Sequence, residues 1–292
     1  MADRADFSGM TCLVTGATSG HGEAVAGLLA RRGADMVLLG RSAEKCERVR
    51  RDILAATGKG PDVLLCDLSS LEDTKRAVAE FLSWDRPLHI LINNAGQVNR
   101  YFQLTGDGIE ETFAVNYLAM FHITLLLLGR IIESAPARIV NVASDAHVIA
   151  DLDLDDPDGR GRRYSMMGAY ARSKLAVLHF TMELARRLEG TGVTVNAVDP
   201  GPVASGIAKK EGLLPRVADA IIQLTFPRPE RAARTAVHLA SSPELAGATG
   251  EYWRFMKLKE PRLSADPGFG SRLWELSARM AGVDGAIAIK KN

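Results

Sequence analysis

Three glycines fall within seven positions of the segment LVTGATSGHGEAVAGLLA, residues 13–30. The segment opens as an apolar run and continues in good helix formers, so it predicts a strand, a glycine turn and a helix. Such a turn presents backbone N–H groups and the positive end of the helix to whatever lies above it, and a pyrophosphate fits that description. Gly16, Gly20 and Gly22 would let the anion approach. A plain strand-to-helix turn with a packing glycine explains a lone glycine cluster equally well.

Tyr170 and Lys174 stand four residues apart in YARSK, which places them on one face of a predicted helix. A phenol has an ordinary pKa near 10, so it is poorly matched to acid–base chemistry at neutral pH. An ammonium group one helical turn away favours the phenolate and lowers that pKa. The pair can therefore transfer a proton, although an ordinary pair on a helix face has the same spacing.

Six apolar, β-favouring runs alternate with helical patterns: TCLVTG, DMVLLG, DVLLCD, LHILINNAG, ARIVNVAS and VTVNAVDPG. They are apolar on both faces, as parallel strands covered by helices must be. The pattern predicts one α/β domain over residues 1–292, with a Rossmann-type doubly wound parallel sheet in three α/β/α layers. Residues 145–169 and 202–230 interrupt the alternation after strand ends, where such sheets bind ligands.

The 292 residues are 47% hydrophobic and 24% charged, an ordinary globular composition. Thirty-six basic and 35 acidic residues leave a formal charge of +1, which favours neither nucleic acid nor an anionic membrane, so we expect a small-molecule partner. Cys12, Cys46 and Cys66 have no metal-ligand spacing and no paired framework. We therefore predict no metal site. An odd number of scattered thiols suits a reducing compartment, so we also predict a cytoplasmic location.

Membrane and export signals are not expected in this sequence. The start MADRADFSGM has no apolar signal-peptide core. The greasiest run, LAMFHITLLLLG at 118–129, is predicted to be too short to span a bilayer.

The glycine spacing is G-x-x-x-G-x-G, and TGATSGHG at this N-terminal position resembles the short-chain dehydrogenase/reductases. The family's other motifs follow in order: NNAG at 93–96, Asn116, Ser144, Tyr170 with Lys174, and PG at 200–201. The stretches SKLAVLHFTMELARRL, PERAARTAVHLASSPELAGATGEYW and LWELSARM are similar to the retinol dehydrogenase and WW-domain oxidoreductase-like branch. The resemblance covers essentially the whole chain, and only the final AGVDGAIAIKKN carries no guiding motif.

The resemblance implies a catalytic set of Asn116, Ser144, Tyr170 and Lys174. Tyr170 would be the acid/base, and Lys174 would lower its pKa together with the oxidised nicotinamide, and also hold the nicotinamide ribose. Ser144 would donate a hydrogen bond to the substrate oxygen, although alone it could be a capping serine at a strand end. Asn116 would anchor a water that continues the proton path from the lysine.

The resemblance also implies a nicotinamide dinucleotide. Gly40 stands where NAD enzymes of the family carry aspartate, and Arg41 and Lys45 follow, which favours NADP(H) over NAD(H). Ser19 carries no basic charge, unlike the matching residue of some NADP enzymes, and Asp67 would bind the adenine edge. The predicted cofactor-binding residues are Gly16, Thr18, Ser19, Gly20, His21, Gly22, Arg41, Lys45, Asp67, Leu68, Asn93, Ala95, Gly96, Tyr170, Lys174, Pro200, Gly201 and Val203.

Four regions carry weaker expectations. His21 and His147 are interpreted as structural or substrate-lining, not catalytic. The charged stretch Asp151 to Arg163 is interpreted as a solvated loop, with a lid or partner contact as the alternative. Residues 202–230 contain apolar residues at helical spacing, which form either core or the family's substrate lid. As a lid they favour a bulky apolar substrate. These residues are Leu213, Leu214, Val217, Ile221, Ile222 and Leu224. The helices at about 107–131 and 169–189 match those that pair between subunits in the family, so a homodimer or homotetramer is expected.

The sequence as a whole predicts an NADP(H)-dependent oxidoreductase that transfers a hydride between nicotinamide and a lipophilic secondary alcohol or its ketone, or an aldehyde. An epimerase or cyclase that uses bound nicotinamide without net redox is the alternative, and net NADPH consumption separates the two. A non-catalytic NADP(H)-sensing protein is a third possibility. The intact catalytic set argues against it.

Overall fold

One sheet of eight strands organises the chain in this computed structural model, which describes residues 6–201 and 229–283. The strands are β1 (Thr11–Thr15), β2 (Asp35–Gly40), β3 (Asp62–Leu65), β4 (Ile90–Asn93), β5 (Ala137–Val142), β6 (Val193–Asp199), β7 (Tyr252–Arg254) and β8 (Lys257–Lys259). Their order across the sheet is β3-β2-β1-β4-β5-β6-β7-β8. All neighbours pair in parallel except β7 and β8. The predicted α/β class is confirmed, with one antiparallel edge strand that was not expected.

Helices cover both faces of this sheet. They are α1 (Gly20–Ala30), α2 (Ala43–Thr57), α3 (Leu71–Ser83), α4 (Glu111–Phe113), α5 (Ala119–Glu133), α6 (Met166–Arg187), α7 (Pro229–Ser241) and α8 (Phe269–Met280). One buried cluster joins the sheet to α1, α2 and α7, and a second joins it to α3, α5, α6 and α8. The three predicted layers follow, because each strand supplies apolar side chains alternately to the two clusters.

Strand order places the site. β1 and β4 are neighbours although two strands intervene in sequence, so the loops that leave their carboxyl ends diverge to opposite faces. Such a switch point opens a crevice at the edge of the sheet. The glycine turn follows β1 and the NNAG loop follows β4, so both motifs line this crevice.

The hairpin of β7 and β8 was not predicted from the sequence. Its turn residues Phe255 and Met256 have φ values of 50° and 63°. Two-residue hairpins need such positive φ values, but Asn and Gly are their usual residues. An apolar pair at these positions therefore hides the turn from pattern analysis.

The long apolar helix is interrupted by a π-helical turn, Ala114–Leu118, between α4 and α5. Counted together, the helical segment Glu111–Glu133 has 23 residues and is long and apolar enough to cross a membrane. The prediction that the apolar run is too short is therefore wrong, because the helix extends beyond residues 118–129. Its most apolar stretch is 72% buried inside the fold. The helix starts at Glu111, whereas 107 was predicted, because the Glu110 carboxylate caps the backbone N–H groups of Thr112 and Phe113.

Helix α8 covers the face formed by α5 and α6. The Trp274 ring lies 5.2 Å from the ring of Phe121 on α5 and 5.8 Å from that of Phe180 on α6. The Ser277 hydroxyl lies 2.7 Å from the Tyr117 hydroxyl in the π turn. The two helices expected to pair between subunits are therefore covered in part by the chain itself.

Trp274 is 8% exposed, so replacing it with alanine should remove most of this packing. We expect Trp274→Ala to lower the free energy of unfolding by about 3–5 kcal/mol. Tyr101, at 66% exposed, is the control: Tyr101→Ala should change stability by less than about 0.5 kcal/mol. Urea unfolding followed by circular dichroism measures both, and equal effects would contradict the packing role of α8.

Candidate active site

A cavity of about 690 Å³ opens at the carboxyl ends of the strands. The predicted site residues that line it are Gly16, Thr18, Ser19, His21, Gly22, Arg41, Asp67, Leu68, Ala95, Gly96, Ser144, Tyr170, Lys174, Pro200 and Gly201. Gly20, Lys45, Asn93 and Asn116 do not line it. Val203 and the apolar stripe from Leu213 to Leu224 lie outside the described residues.

Two of the three motif glycines, Gly16 and Gly22, are crowded by protein rather than only open to a ligand. A Cβ on Gly16 would lie 2.8 Å from the Ala95 Cα, and its φ is 65°. A Cβ on Gly22 would lie 2.3 Å from Asn94 Nδ2 and 2.4 Å from the Gly16 carbonyl oxygen. Gly20 has a φ of 54°, a conformation that favours glycine. Packing against the β4 loop therefore explains two of the glycines, and backbone conformation explains the third.

Asn94 joins the two loops at the switch point, and the sequence analysis missed its role. Its Nδ2 donates to the carbonyl oxygens of Thr15 at 2.9 Å and Gly16 at 3.2 Å. The backbone N–H groups of Asn94 and Ala95 donate to the Thr15 hydroxyl at 2.9 and 3.0 Å. The NNAG motif contained this residue, but nothing in the sequence says which amide of the motif makes the contact.

His21 supports the Asn94 amide. Its Nδ1 lies 2.8 Å from Asn94 Oδ1, so Nδ1 carries the hydrogen and donates it. Burial lowers the pKa of His21, and the hydrogen bond with Asn94 only partly offsets this. A neutral imidazole that holds the amide fits the structural interpretation of this residue.

The loop and helix α1 fit a bound dinucleotide phosphate. Helix α1 spans 11 residues and begins beside the cavity, and the hydroxyl of its cap residue Ser19 makes no capping hydrogen bond. A helix N-terminus with such a loop is suited to phosphate. Outside the cavity, Arg48 donates to the Thr18 carbonyl oxygen at 3.0 Å and pairs with Glu23 at 2.7 Å, which holds the loop in place.

The end of β2, where the sequence predicts the adenosine part of the cofactor, has a cation at Arg41 and no acidic residue at position 40. Arg41 is exposed and lines the cavity, whereas Lys45 is exposed and does not. A Cβ on Gly40 would lie 2.9 Å from Thr18 Cγ2 and 3.0 Å from Cys46 Sγ. Any side chain at position 40 therefore needs a small shift of its neighbours. Asp67 lines the cavity and accepts hydrogen bonds from the backbone and hydroxyl of Ser69 at 3.0 and 2.8 Å.

Tyr170 and Lys174 lie on one face of α6, as predicted. Lys174 Nζ is 5.7 Å from the centre of the Tyr170 ring and donates to the Val142 carbonyl oxygen at 2.7 Å. The lysine is 2% exposed, and burial lowers its pKa to about 8, against an opposing effect of Asp199. Its neutral form is thus accessible near physiological pH.

The pKa of Tyr170 is raised, contrary to the lowering expected from Lys174. Burial is the main cause, a hydrogen bond with Ser144 opposes it, and the carboxylate of Asp199 adds to it. The ammonium of Lys174 is directed to the Val142 carbonyl oxygen and does not offset the effect of burial on the Tyr170 pKa. The positive charge of an oxidised nicotinamide was the other part of that expectation.

Ser144 is a capping serine after a strand end, and it also lines the cavity, where its hydrogen bond to a substrate stays a prediction. It lies two residues beyond the end of β5, lines the cavity and caps the 3₁₀ turn Asp145–Ile149 by accepting from the Ala146 N–H at 3.2 Å. Its carbonyl oxygen accepts from His147 Nδ1 at 2.8 Å, and His147 Nε2 accepts from the Arg262 N–H at 3.0 Å. His147 is therefore structural: it ties the serine turn to the segment after β8.

Asn116 connects the loop after β4 to helix α6. Its Oδ1 accepts from the Gln97 N–H at 2.7 Å, and its Nδ2 donates to the Gln97 carbonyl oxygen at 2.9 Å and to Ser173 Oγ at 3.1 Å. The side chain is buried, both amide hydrogens are used, and Oδ1 keeps a second acceptor position. The amide fixes Gln97, and its hold on a water stays a prediction.

Asn93 lies in the core below the site. Its Nδ2 donates to Thr124 Oγ1 and to Asn141 Oδ1, both at 2.9 Å, and Asn141 Nδ2 donates to Thr181 Oγ1 at 3.0 Å. These bonds link β4 and β5 to helices α5 and α6. The side chain can act on a cofactor only through the position of its strand.

The charged stretch at 151–163 folds onto itself. Arg162 pairs with Asp151, with Asp153 at 2.9 Å and with Asp156 at 3.6 Å. Arg172 of α6 donates to the Asp158 carbonyl oxygen at 3.1 Å. No described residue of the stretch lines the cavity. The solvated-loop interpretation thus fits its exposed side, and ion pairs order the rest.

Comparisons with known proteins agree with this geometry. A family model described as short chain dehydrogenase matches residues 10–213. Human retinol dehydrogenase 13 is 39% identical over 96% of this chain and 87% of its own length, and mouse retinol dehydrogenase 12 is 41% identical over 94% and 87%. The structure of a short chain dehydrogenase from Burkholderia cenocepacia in complex with NADP superposes with a TM-score of 0.68 at 27% identity, over 85% of this chain and 96% of that one.

The chain belongs to the short-chain dehydrogenase/reductase family, as the sequence predicted. It is an oxidoreductase related to the retinol dehydrogenases and acts on CH–OH donors. A nicotinamide cofactor, NAD or NADP, is typical of this family.

The crowding at Gly22 yields a test within one helix. Gly22→Ala places a methyl group against Asn94 and the Gly16 carbonyl, so we expect a loss of about 1–3 kcal/mol of stability and much weaker cofactor binding. Gly27→Ala is the matched control, since its Cβ would meet nothing closer than 3.6 Å, and it should stabilise α1 by up to about 1 kcal/mol. Thermal unfolding and cofactor titration measure both variants. A Gly22→Ala protein as stable as Gly27→Ala would contradict the proposed loop contact.

Proposed function

We propose that the protein is an NADP(H)-dependent oxidoreductase that interconverts a lipophilic secondary alcohol and its ketone, or acts on the corresponding aldehyde. The observation that carries the proposal is the convergence of Ser144, Tyr170 and Lys174 on one cavity with the glycine loop. When bound, the nicotinamide supplies or accepts the hydride. Everything else in the reaction is positioning and proton transfer by the chain.

In this proposal Tyr170 gives its phenolic proton to the carbonyl oxygen during reduction and takes it back during oxidation. Ser144 would turn its one hydroxyl hydrogen from the phenol of Tyr170 to the same substrate oxygen and orient that oxygen. Lys174 restores the proton, because an ammonium whose pKa is lowered to about 8 releases a proton more readily than an exposed lysine. Asn116 keeps Gln97 in place at the cavity wall.

A lipophilic substrate is supported by two observations. The wall of the cavity that holds Ser144 and Tyr170 includes the apolar side chains Val98, Val115, Ala146 and Met167. Two relatives are named for retinol, a lipophilic alcohol. Gln97 and Glu111 line the same cavity, so a substrate with one polar group besides the reacting carbon also fits.

Turnover with a panel of alcohols, aldehydes and ketones tests the reaction. Tyr170→Phe removes the proton donor but keeps the ring, so we expect kcat to fall by about a hundredfold or more while cofactor affinity is retained. Tyr101→Phe, an exposed tyrosine that does not line the cavity, is the control and should keep full activity. Near-normal kcat in Tyr170→Phe would contradict the acid/base role. Substrate conversion without net NADPH consumption would instead indicate the epimerase or cyclase.

NADP(H) preference is proposed from the exposed guanidinium of Arg41 in the cavity and the absence of a carboxylate at Gly40. A guanidinium can meet the 2′-phosphate with charge-assisted hydrogen bonds. Arg41→Ala should weaken NADPH binding about ten- to hundredfold and leave NADH binding nearly unchanged. Gly40→Asp combined with Arg41→Ala should prefer NADH, because the carboxylate repels the phosphate and accepts hydrogen bonds from a free ribose.

Gly40→Ala is the necessary control for that double variant. It adds the same crowding against Thr18 and Cys46 without the charge. It should lower the affinity for both cofactors alike and leave the NADPH/NADH ratio of kcat/KM unchanged. An unchanged ratio in the double variant, measured at fixed ionic strength, would refute the placement of the 2′-phosphate at Arg41.

A cytoplasmic location and a homodimer or homotetramer remain proposals. Helix α8 fills the groove between α5 and α6 at Trp274, so pairing through these helices would have to use the surface that α8 leaves open.

A further inference from the structure

A cluster of opposite charges lies beside the Ser144 turn, where β5, β6 and the β7–β8 hairpin end. It consists of Asp145, Asp199, Arg254 and Lys259. The first three also line the active-site cavity. No motif in the sequence pointed to any of them.

Asp199 is the central member of this cluster and is 3% exposed. Its Oδ1 accepts from the Gly201 N–H at 2.7 Å, and its Oδ2 accepts from the Asp145 N–H at 3.1 Å. Its Oδ2 also forms an ion pair with Arg254 Nε at 3.1 Å. One carboxylate thus joins the turn after β5, the turn after β6 and the hairpin.

Asp145 fixes the same turn from its other side. It accepts from the Tyr252 hydroxyl at 2.6 Å and from Lys259 Nζ at 2.5 Å, and it pairs with Arg254. Ser144 directly precedes this residue. Its hydroxyl can therefore keep its position only while the backbone of Asp145 is held.

We propose that Asp199 is a positioning residue for the reaction: it holds the Ser144 turn against the Pro200–Gly201 turn and supplies a negative charge to the cavity that Tyr170 and Lys174 also line. This inference rests on the proposed oxidoreductase function. Asp199 would act without touching the reacting atoms, through the backbone of Asp145 and through its charge.

The charge of Asp199 acts on several titratable groups. Its carboxylate disfavours the phenolate of Tyr170 and favours the ammonium of Lys174, so it raises the pKa of both. It acts in the same direction on His21 and Tyr252. Within the cluster, Arg254 of β7 pairs with Asp199 and partly balances its carboxylate. Asp145 of the serine turn pairs with Arg254 and with Lys259 of β8.

Two substitutions separate geometry from charge. Asp199→Asn removes the charge and one of the two acceptors. We expect kcat to fall about ten- to hundredfold with a smaller change in KM, and the pKa of Tyr170 to fall. Asp199→Glu keeps the charge but displaces the carboxylate, so kcat should fall while the tyrosine pKa stays close to that of the wild type.

Arg254→Gln tests the charge from the opposite side. Loss of the guanidinium leaves Asp199 unbalanced, so the pKa of Tyr170 should rise. Glu183→Gln is the matched control: it removes another mostly buried carboxylate, paired with Arg186 and Arg187 on the same helix. It should shift neither kcat nor the titration. If Asp199→Asn fails to fold, the Glu and Arg254 variants still decide the two parts of the proposal.

The tyrosine pKa is read from absorbance at 295 nm, as the difference between each variant and the same variant carrying Tyr170→Phe. This titration uses no substrate and no cofactor, so it remains valid if the oxidoreductase proposal fails. Turnover that is normal in Asp199→Glu would overturn the positioning role. An unshifted titration in Asp199→Asn, in an otherwise active enzyme, would overturn the charge role while leaving the proposed function intact.

Discussion

The active site depends on a junction between β1 and β4 beyond the last hydrogen bond of their ladder. The strands pair through Val14 and Ile92, and then their loops separate toward opposite faces. The Asn94 amide bridges the opening by donating to the carbonyls of Thr15 and Gly16. It can approach this closely only because Gly22 has no side chain. The first turn of α1 is therefore positioned by protein contacts, and the ligand receives a loop that is already formed.

This junction explains which parts of the site were readable in the sequence. Apolar runs and helical spacing predict the six strands β1 to β6 and the helices α1 and α6. Tyr170 and Lys174 lie close together because one helix carries both. Motif order placed Ser144 and the glycine loop on the same edge of the sheet. Local patterns with fixed geometry were enough for these.

The unpredicted parts all require contacts between distant segments. Arg254 meets Asp145 across more than a hundred residues, in a hairpin whose turn lacks the usual Asn or Gly. The π turn at Asn116 has no composition that separates it from an α-helix. The loop after β4 is held at Gln97 by that same asparagine. Spacing in sequence carries no information on these pairs.

Buried charge is the remaining constraint on the structure around the cavity, and it applies to Lys174 and Asp199. Lys174 is almost fully buried, and an ammonium there is costly unless something opposes its desolvation. The Val142 carbonyl does so by contact and Asp199 by charge. Asp199 is itself buried, so Arg254 and two backbone N–H groups must satisfy it in turn. The hairpin that carries Arg254 lies at the edge of the sheet, yet it is part of the reason that Lys174 can be buried close to Tyr170.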